Sequence, residues 1–297
     1  AQGKPAPSIH AVDIHGKAVD LDALVQEQPY LVILYFFSVD TGEDIAVKLR
    51  YLDTRYGRDK LKIIALGMKE DEASLKAFAD RLNIQYFLIH ADSIENAPWL
   101  KEIYSLPLTL FVQADPEKTI ERVLVGGGAG QAQILKEVAE NLYQQRRSEA
   151  LEIVEEAIAV GEDAKEAAEL KGFILTAEGK LDEAEQEFGR IDSMAGLAAV
   201  ALERGDVDSA AQIAASAPDD GYAQTIRAEA LIRTGNTAEA AEALDKAATA
   251  AKRLWQQSET VNLQGRLAHI GGDADKAVAA YQKAIALDPY NVIALSN

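Results

Sequence analysis

The sequence predicts an α/β domain followed by an all-α array of helical repeats, and three observations carry the prediction. The apolar run Leu31–Phe37 leads directly into an amphipathic helical segment, as a central strand buried on both faces does. From residue 8 to about 144, runs rich in β-formers alternate with helical ones, the pattern of a sheet covered by helices. Beyond that point strand signals stop, and Gly-x-x-x-x-Ala or a close variant recurs at Gly179, Gly205, Gly235 and Gly272, which marks a structural repeat. With 297 residues and 48% apolar content, the chain is long enough for two cored domains. The expected division is residues 1–145 and 146–297.

Each element has a local reason. Ser8–Asp13 and Lys17–Leu21 flank His15-Gly16, a hairpin turn. After the strand Leu31–Phe37, Thr41-Gly-Glu-Asp44 reads as a helix start, with Thr41 capping and the acidic residues favouring the positive end of the dipole. There follow strand Leu61–Met68, helix Asp71–Leu82, strand Gln85–His90 and a short helix around Asn96–Tyr104. Pro107 stands at the mouth of a strand in Ser105–Val112, a place that tolerates a residue with no N–H for the ladder. Ala114–Lys118 is a tight turn, Thr119–Val125 the returning edge strand, and Gln131–Gln144 a closing helix. Gly126–Gly128 lacks the Lys-Ser/Thr of a phosphate loop and reads as a strand-to-helix turn.

Taken in order, Gly3–Pro7, Gly16–Leu21, Leu31–Phe37, Leu106–Val112 and Val123–Gly126 resemble the landmarks of a TlpA/ResA-type thioredoxin-like domain over residues 3–144. The resemblance implies an α/β thioredoxin-like fold and places the Cys-x-x-Cys motif at Thr41 and Asp44. The chain contains no cysteine. Neither residue forms a thiolate or a mixed disulfide, so thiol–disulfide exchange is excluded by chemistry. Asp40 stands where relatives usually carry tryptophan. By the same resemblance Pro107 is the cis-proline facing this turn, and Pro107 with Asp40 and Thr41 forms a peptide-docking surface. A platform kept only for rigidity is the plainer reading.

In the second half, Gly172 and Gly265 stand seven residues before two of the repeat glycines, and Ala198 and Ala228 before the other two. Phe188, Leu244 and Tyr281 follow the repeat alanines by four. This resembles the tetratricopeptide repeat, with Gly265, Ala277, Tyr281, Ala284 and Pro289 on consensus places, and implies an all-α solenoid. Glu149–Val160 serves as the second helix of a degenerate first unit. The glycine steps of 26, 30 and 37 residues place an insertion near Ala251–Ser258. In such arrays the first helix of each pair lines a concave groove that binds peptides or proteins. The repeat register sends Phe173, Tyr222, Glu229, Arg233, Asn262, Arg266 and His269 into it. Arg233, Asn262 and Arg266 are suited to grip a C-terminal carboxylate or an acidic segment; the alternative is that both arginines pair with nearby acidic residues. Trp255 is either a packed anchor or an exposed contact.

Charge narrows the partners. The net charge of −18 is uneven, with 17 basic and 21 acidic groups in residues 1–147 against 13 and 27 in 148–297. Such a surface disfavours nucleic acid and anionic membranes and attracts basic or mixed-charge proteins, or simply keeps an Ala-rich array in solution. No apolar run approaches the ~18 residues that span a bilayer. The start Ala-Gln-Gly-Lys-Pro-Ala-Pro fits an exported, periplasmic protein, with the cytoplasm as alternative. His10, His15, His90 and His269 are scattered, and none lies beside a carboxylate at metal-ligand spacing. No metal, cofactor or catalytic constellation is therefore expected. The expected function is a non-catalytic scaffold or holdase that binds partner or client polypeptides, similar in architecture to chaperedoxin-type proteins. The alternative is an accessory factor in extracytoplasmic thiol or cytochrome maturation, acting with a cysteine-bearing partner.

Overall fold

The computed structural model describes residues 2–57, 60–126, 130–145, 147–161 and 165–297. It divides into two compact units, Ala1–Asn141 and Leu142–Asn297.

The first unit opens on an antiparallel hairpin, β1 (His10–Val12) and β2 (Ala18–Asp20), in which His10 faces Asp20. Asp13 makes its turn: Oδ1 accepts the His15 and Lys17 amides at 2.9 and 2.8 Å. Asp20 then caps α1 (Leu21–Gln26) by accepting the Ala23 amide. The main sheet contains β3 (Leu31–Phe37), β4 (Leu61–Gly67), β5 (Phe87–His90), β6 (Leu108–Val112) and β7 (Ile120–Val125). Its order is β5-β4-β3-β6-β7, with β4 parallel to β3 and β5, and β6 antiparallel to β3 and β7. All seven residues of β3 are buried, which is why its sequence shows no polar alternation. Three helices accompany the sheet: α2 (Val39–Tyr56), α3 (Glu72–Leu82) and α4 (Gln131–Gln144).

One expectation shifts locally. The short helix around 96–104 is a 3₁₀ turn, Pro98–Glu102, with Pro98 at its start; Trp99, Leu100 and Ile103 anchor it to the core. Five residues are too few for a stable α-helix, and the apolar anchors fix the segment instead. Of the glycine turn at 126–128, Gly126 adopts φ +87° and donates its amide to the Pro107 carbonyl at 2.8 Å. Gly127 and Gly128 lie outside the described residues.

The second unit is helical among its described residues. After α5 (Ala150–Val160) come four pairs: α6 (Lys165–Ala177) with α7 (Leu181–Arg190), α8 (Met194–Glu203) with α9 (Val207–Ala215), α10 (Gly221–Arg233) with α11 (Thr237–Ala250), and α12 (Leu254–Ile270) with α13 (Ala274–Leu287). A short α14 (Val292–Ser296) follows. The four repeat glycines sit in the turns between partners at φ +75°, +84°, +83° and +82°. That left-handed conformation is open to glycine at little cost and explains their recurrence. The alanines after them, Ala184, Ala210, Ala240 and Ala277, are buried where the paired helices meet. The longest glycine step contains the longer helices, α11 of 14 residues and α12 of 17, and α12 begins four residues before Ser258.

Candidate functional site

In the first unit the expected site lies at the C-terminal end of β3. Ser38 is extended at φ −108°, ψ 153°, and α2 begins at Val39, earlier than predicted. The cap is therefore Ser38 and not Thr41. The Thr41 amide donates to the Ser38 carbonyl at 3.1 Å, and the Thr41 hydroxyl pairs with Ser38 Oγ at 2.9 Å. The Val39 amide donates to Glu70 Oε1 at 2.8 Å. Glu70, from the loop after β4, thus places a carboxylate on the positive end of α2. In a thiol enzyme that end of the helix lowers the thiol's pKa; here a carboxylate of the chain occupies it.

The neighbouring residues stabilise this arrangement without adding a reactive group. Gly42 lies directly under Phe37, where a Cβ would collide with the ring. Tyr35 donates its hydroxyl to the Gly42 carbonyl at 3.0 Å, and burial, with the Asp44 charge, pushes its phenol far above the usual range. Arg81 grips Glu43 with two bonds of 2.9 Å. Asp40, Thr41 and Asp44 are exposed. The Leu106–Pro107 bond is cis, as the resemblance implied. Phe36 pairs with Leu108, so Pro107 stands at the same sheet end as Ser38. Three residues before it in the chain Tyr104 is 89% exposed, and Val125, paired with Leu108, is 64% exposed.

The hairpin corrects the reading of the histidines. Cross-strand pairing sets His10 Nδ1 3.3 Å from Asp20 Oδ2, and Nε2 lies 3.9 Å from Asp22 Oδ2. One ligating atom from each of the three residues lies within 4.8 Å of the others. Sequence spacing could not show this, because register brings residues 10 and 20 together. Lys118 Nζ already binds Asp22, and holds its carboxyl below the usual range.

The repeat unit corrects part of the groove assignment. Phe173 is 5% exposed and Trp255 4% exposed. With Tyr222 they form one cluster, their ring centroids 4.9, 5.2 and 5.8 Å apart, while Phe188 packs on Phe173 and Tyr143 on Trp255. These rings come from different repeats and bury one another, so Phe173 is core and Trp255 a packed anchor. Tyr222 is partly buried, and its hydroxyl donates to Glu259 Oε2 at 2.8 Å. Burial and then the Glu259 charge push that phenol well above its usual range.

The carboxylate grip is also partly closed. Arg233 donates to Glu229 Oε1 from Nε and Nη2 at 3.1 and 2.5 Å. Asn262 is buried and accepts from Asn297 Nδ2 at 2.9 Å. Arg266 is partly exposed and His269 exposed. The structure adds Glu169, which sequence reasoning passed over. It lies one turn before Phe173 on α6 and accepts from Ser193 Oγ at 2.6 Å. Burial, with the like charges of Asp220 and Glu166, raises its carboxyl above the usual range despite that hydroxyl and the Lys165 charge. The repeat register alone could have found Glu169 and Glu259, since both fall on inner-helix positions.

The comparisons with known proteins follow the same division. The tetratricopeptide-repeat family matches residues 136–195, 195–258 and 258–291. The chain belongs to that family through its second half, which is a tetratricopeptide-repeat array. The first half is an α/β fold with thioredoxin-like strand order, and the chain has no cysteine. Among solved structures, the chain is similar to a thioredoxin-family thiol:disulfide interchange protein of Chlorobium tepidum TLS, with 18% identity over 48% of this chain and 98% of that one, TM-score 0.40. It is also similar to a thermophilic tetratricopeptide-repeat protein of Thermus thermophilus, with 17% identity over 56% and 95%, TM-score 0.45. No curated protein matches the chain.

Proposed function

We propose that this protein is a non-catalytic binder of polypeptides, acting as a holdase or an assembly scaffold. The observation that carries the reading is a thioredoxin-like frame with Thr41 and Asp44 in place of both thiols and the Glu70 carboxylate on the helix end that would activate one. What remains useful there is shape. Pro107 stands just before β6, with the exposed Tyr104 three residues earlier in the chain and the exposed Val125 paired to Leu108 on the neighbouring strand, a place for extended client chain. The repeats, a fold that mediates protein–protein contacts, offer a second surface. Two weak contacts tethered on one chain add through effective concentration. The protein acts outside the cytoplasm in this reading.

The test is suppression of aggregation. A reduced, unfolding model client is followed by light scattering with and without the protein. Suppression at near-equimolar ratio, diminished by Tyr104→Ala, supports the holdase. Absence of suppression, together with capture of a cysteine-bearing enzyme in native pull-down, transfers the protein to the class of maturation cofactors.

A further inference from the structure

The hairpin of the first unit leaves one of its edges open. Along an antiparallel ladder, residues bonded to the partner strand alternate with residues whose peptide groups point away from it. The Leu21 amide donates to the Ile9 carbonyl at 3.0 Å and the Asp13 amide to the Lys17 carbonyl at 2.9 Å, so Ile9, Ala11 and Asp13 face β2. His10 and Val12 lie between them and turn their N–H and C=O groups outward. Ile14, next in the same alternation, donates its amide to the Leu88 carbonyl of β5 at 2.9 Å. Beyond that bond the two strands do not pair, and β1 has only β2 as a strand neighbour among the described residues. No bond among those residues takes the outward peptide groups of His10 and Val12. A groove of about 750 Å³ lies against this edge, lined by the three residues of β1 and by Glu72, His90 and Glu95, with no Lys or Arg in its lining. Val12 is 59% exposed.

We propose that the outer edge of β1 takes up an extended polypeptide strand carrying Lys or Arg, which pairs with the His10 and Val12 peptide groups while its basic side chains reach Glu72 and Glu95. The site is separate from the strand end at Pro107. Ile14 ties the hairpin to β5, one edge of the main sheet, whereas Val125 belongs to β7 at the opposite edge. The proposal therefore goes beyond the client-binding reading and does not depend on it. Backbone, side chain and charge each define the occupant. A row of outward donors and acceptors on an open edge is a template for another main chain. The exposed Val12 offers an apolar cross-strand neighbour to an added strand. Glu72 and Glu95 are exposed, and the groove supplies no cation of its own, so basic side chains complement it. A second copy of this chain would bring the same carboxylates to the shared edge, and like charges there oppose such pairing.

The test uses the full chain and two short labelled peptides of equal length, read by fluorescence anisotropy: one alternating Lys with Val, one alternating Glu with Val. The basic peptide is expected to bind at least about fivefold tighter than the acidic one. Val12→Pro removes the outward Val12 amide and no hairpin bond, and an edge strand tolerates proline in that orientation. It weakens the basic peptide about tenfold. Val12→Thr keeps the amide and changes binding less than about twofold. Glu72→Gln with Glu95→Gln weakens the basic peptide about threefold and does not weaken the acidic one. Equal binding of the two peptides overturns the proposal, and so does undiminished binding by Val12→Pro. In that second case the peptide occupies another surface, and the polypeptide-binding reading stands. If Val12→Pro melts early, the peptide backbone carries the same comparison through N-methylation of either its Lys amides or its Val amides. One set faces β1 and the other faces away, so one methylated peptide binds and the other does not; equal behaviour of the two overturns the proposal.

Discussion

At the scale of single residues, the repeat core is decided by how closely glycine lets helices approach. A Cβ at Gly196 would land in the Phe188 ring, whereas one at Gly189 meets nothing within 4 Å. Both glycines are helical. Gly196→Ala is therefore expected to cost about 1–3 kcal/mol through overpacking, and Gly189→Ala to gain about 0.5–1 kcal/mol from helix propensity. Urea denaturation of the pair reads both signs in one experiment. Glu169 gives a pH-dependent prediction. Its carboxyl is held above the ordinary value in the folded state, so its contribution to stability is complete below that ordinary value and is lost as pH rises through the raised one. Glu169→Gln keeps an acceptor for Ser193 and removes the charge. The variant should match the parent at low pH, where neither side chain carries a charge, and exceed it in stability at pH 7; a constant difference across that range would rule out the charge as the cause.

At the scale of elements, the start of α2 explains why restoring cysteines should not restore a redox enzyme. The Val39 amide is bonded to Glu70 and the Thr41 amide to the Ser38 carbonyl. A thiol introduced by Thr41→Cys with Asp44→Cys meets a helix end already compensated by a carboxylate. Its pKa is expected near the ~8.5 of a free thiol, without the depression seen at open helix ends. Thiolate absorbance against pH measures it, and adding Glu70→Gln should lower it. A pKa near neutrality in the double variant alone would show that Glu70 does not compensate the helix. The start of α2 was only partly legible in sequence. Thr41 is a good capping residue, but Ser38 stands three residues earlier directly after the strand, and propensity does not choose between two adequate caps.

At the scale of the whole molecule, a chain without cysteine should be indifferent to redox conditions. Melting temperature is expected to be unchanged by a thiol reductant, and a change in client binding alone would mean that the partner, not this protein, carries the thiol. The acidic repeat unit makes association sensitive to salt, because exposed charges are screened within about 8 Å at physiological ionic strength. Among the described residues no helix is long and apolar enough to cross a membrane. The alternating first half and periodic second half were legible because each depends on local patterns: apolar runs, turn glycines and small residues at helix crossings.

What the sequence determined by itself was chemistry and period. Composition alone removed thiol exchange, and the spacing of Gly179, Gly205, Gly235 and Gly272 laid out the helical pairs, since left-handed turns select glycine locally. What only the tertiary structure decided was which side chains meet. Hairpin register joined His10 to Asp20, and the stacking of helices from separate repeats buried Phe173 and Trp255 against Tyr222. The same stacking left Glu169 beside a hydroxyl instead of a cation. Such contacts join residues distant along the chain, and no local preference encodes them.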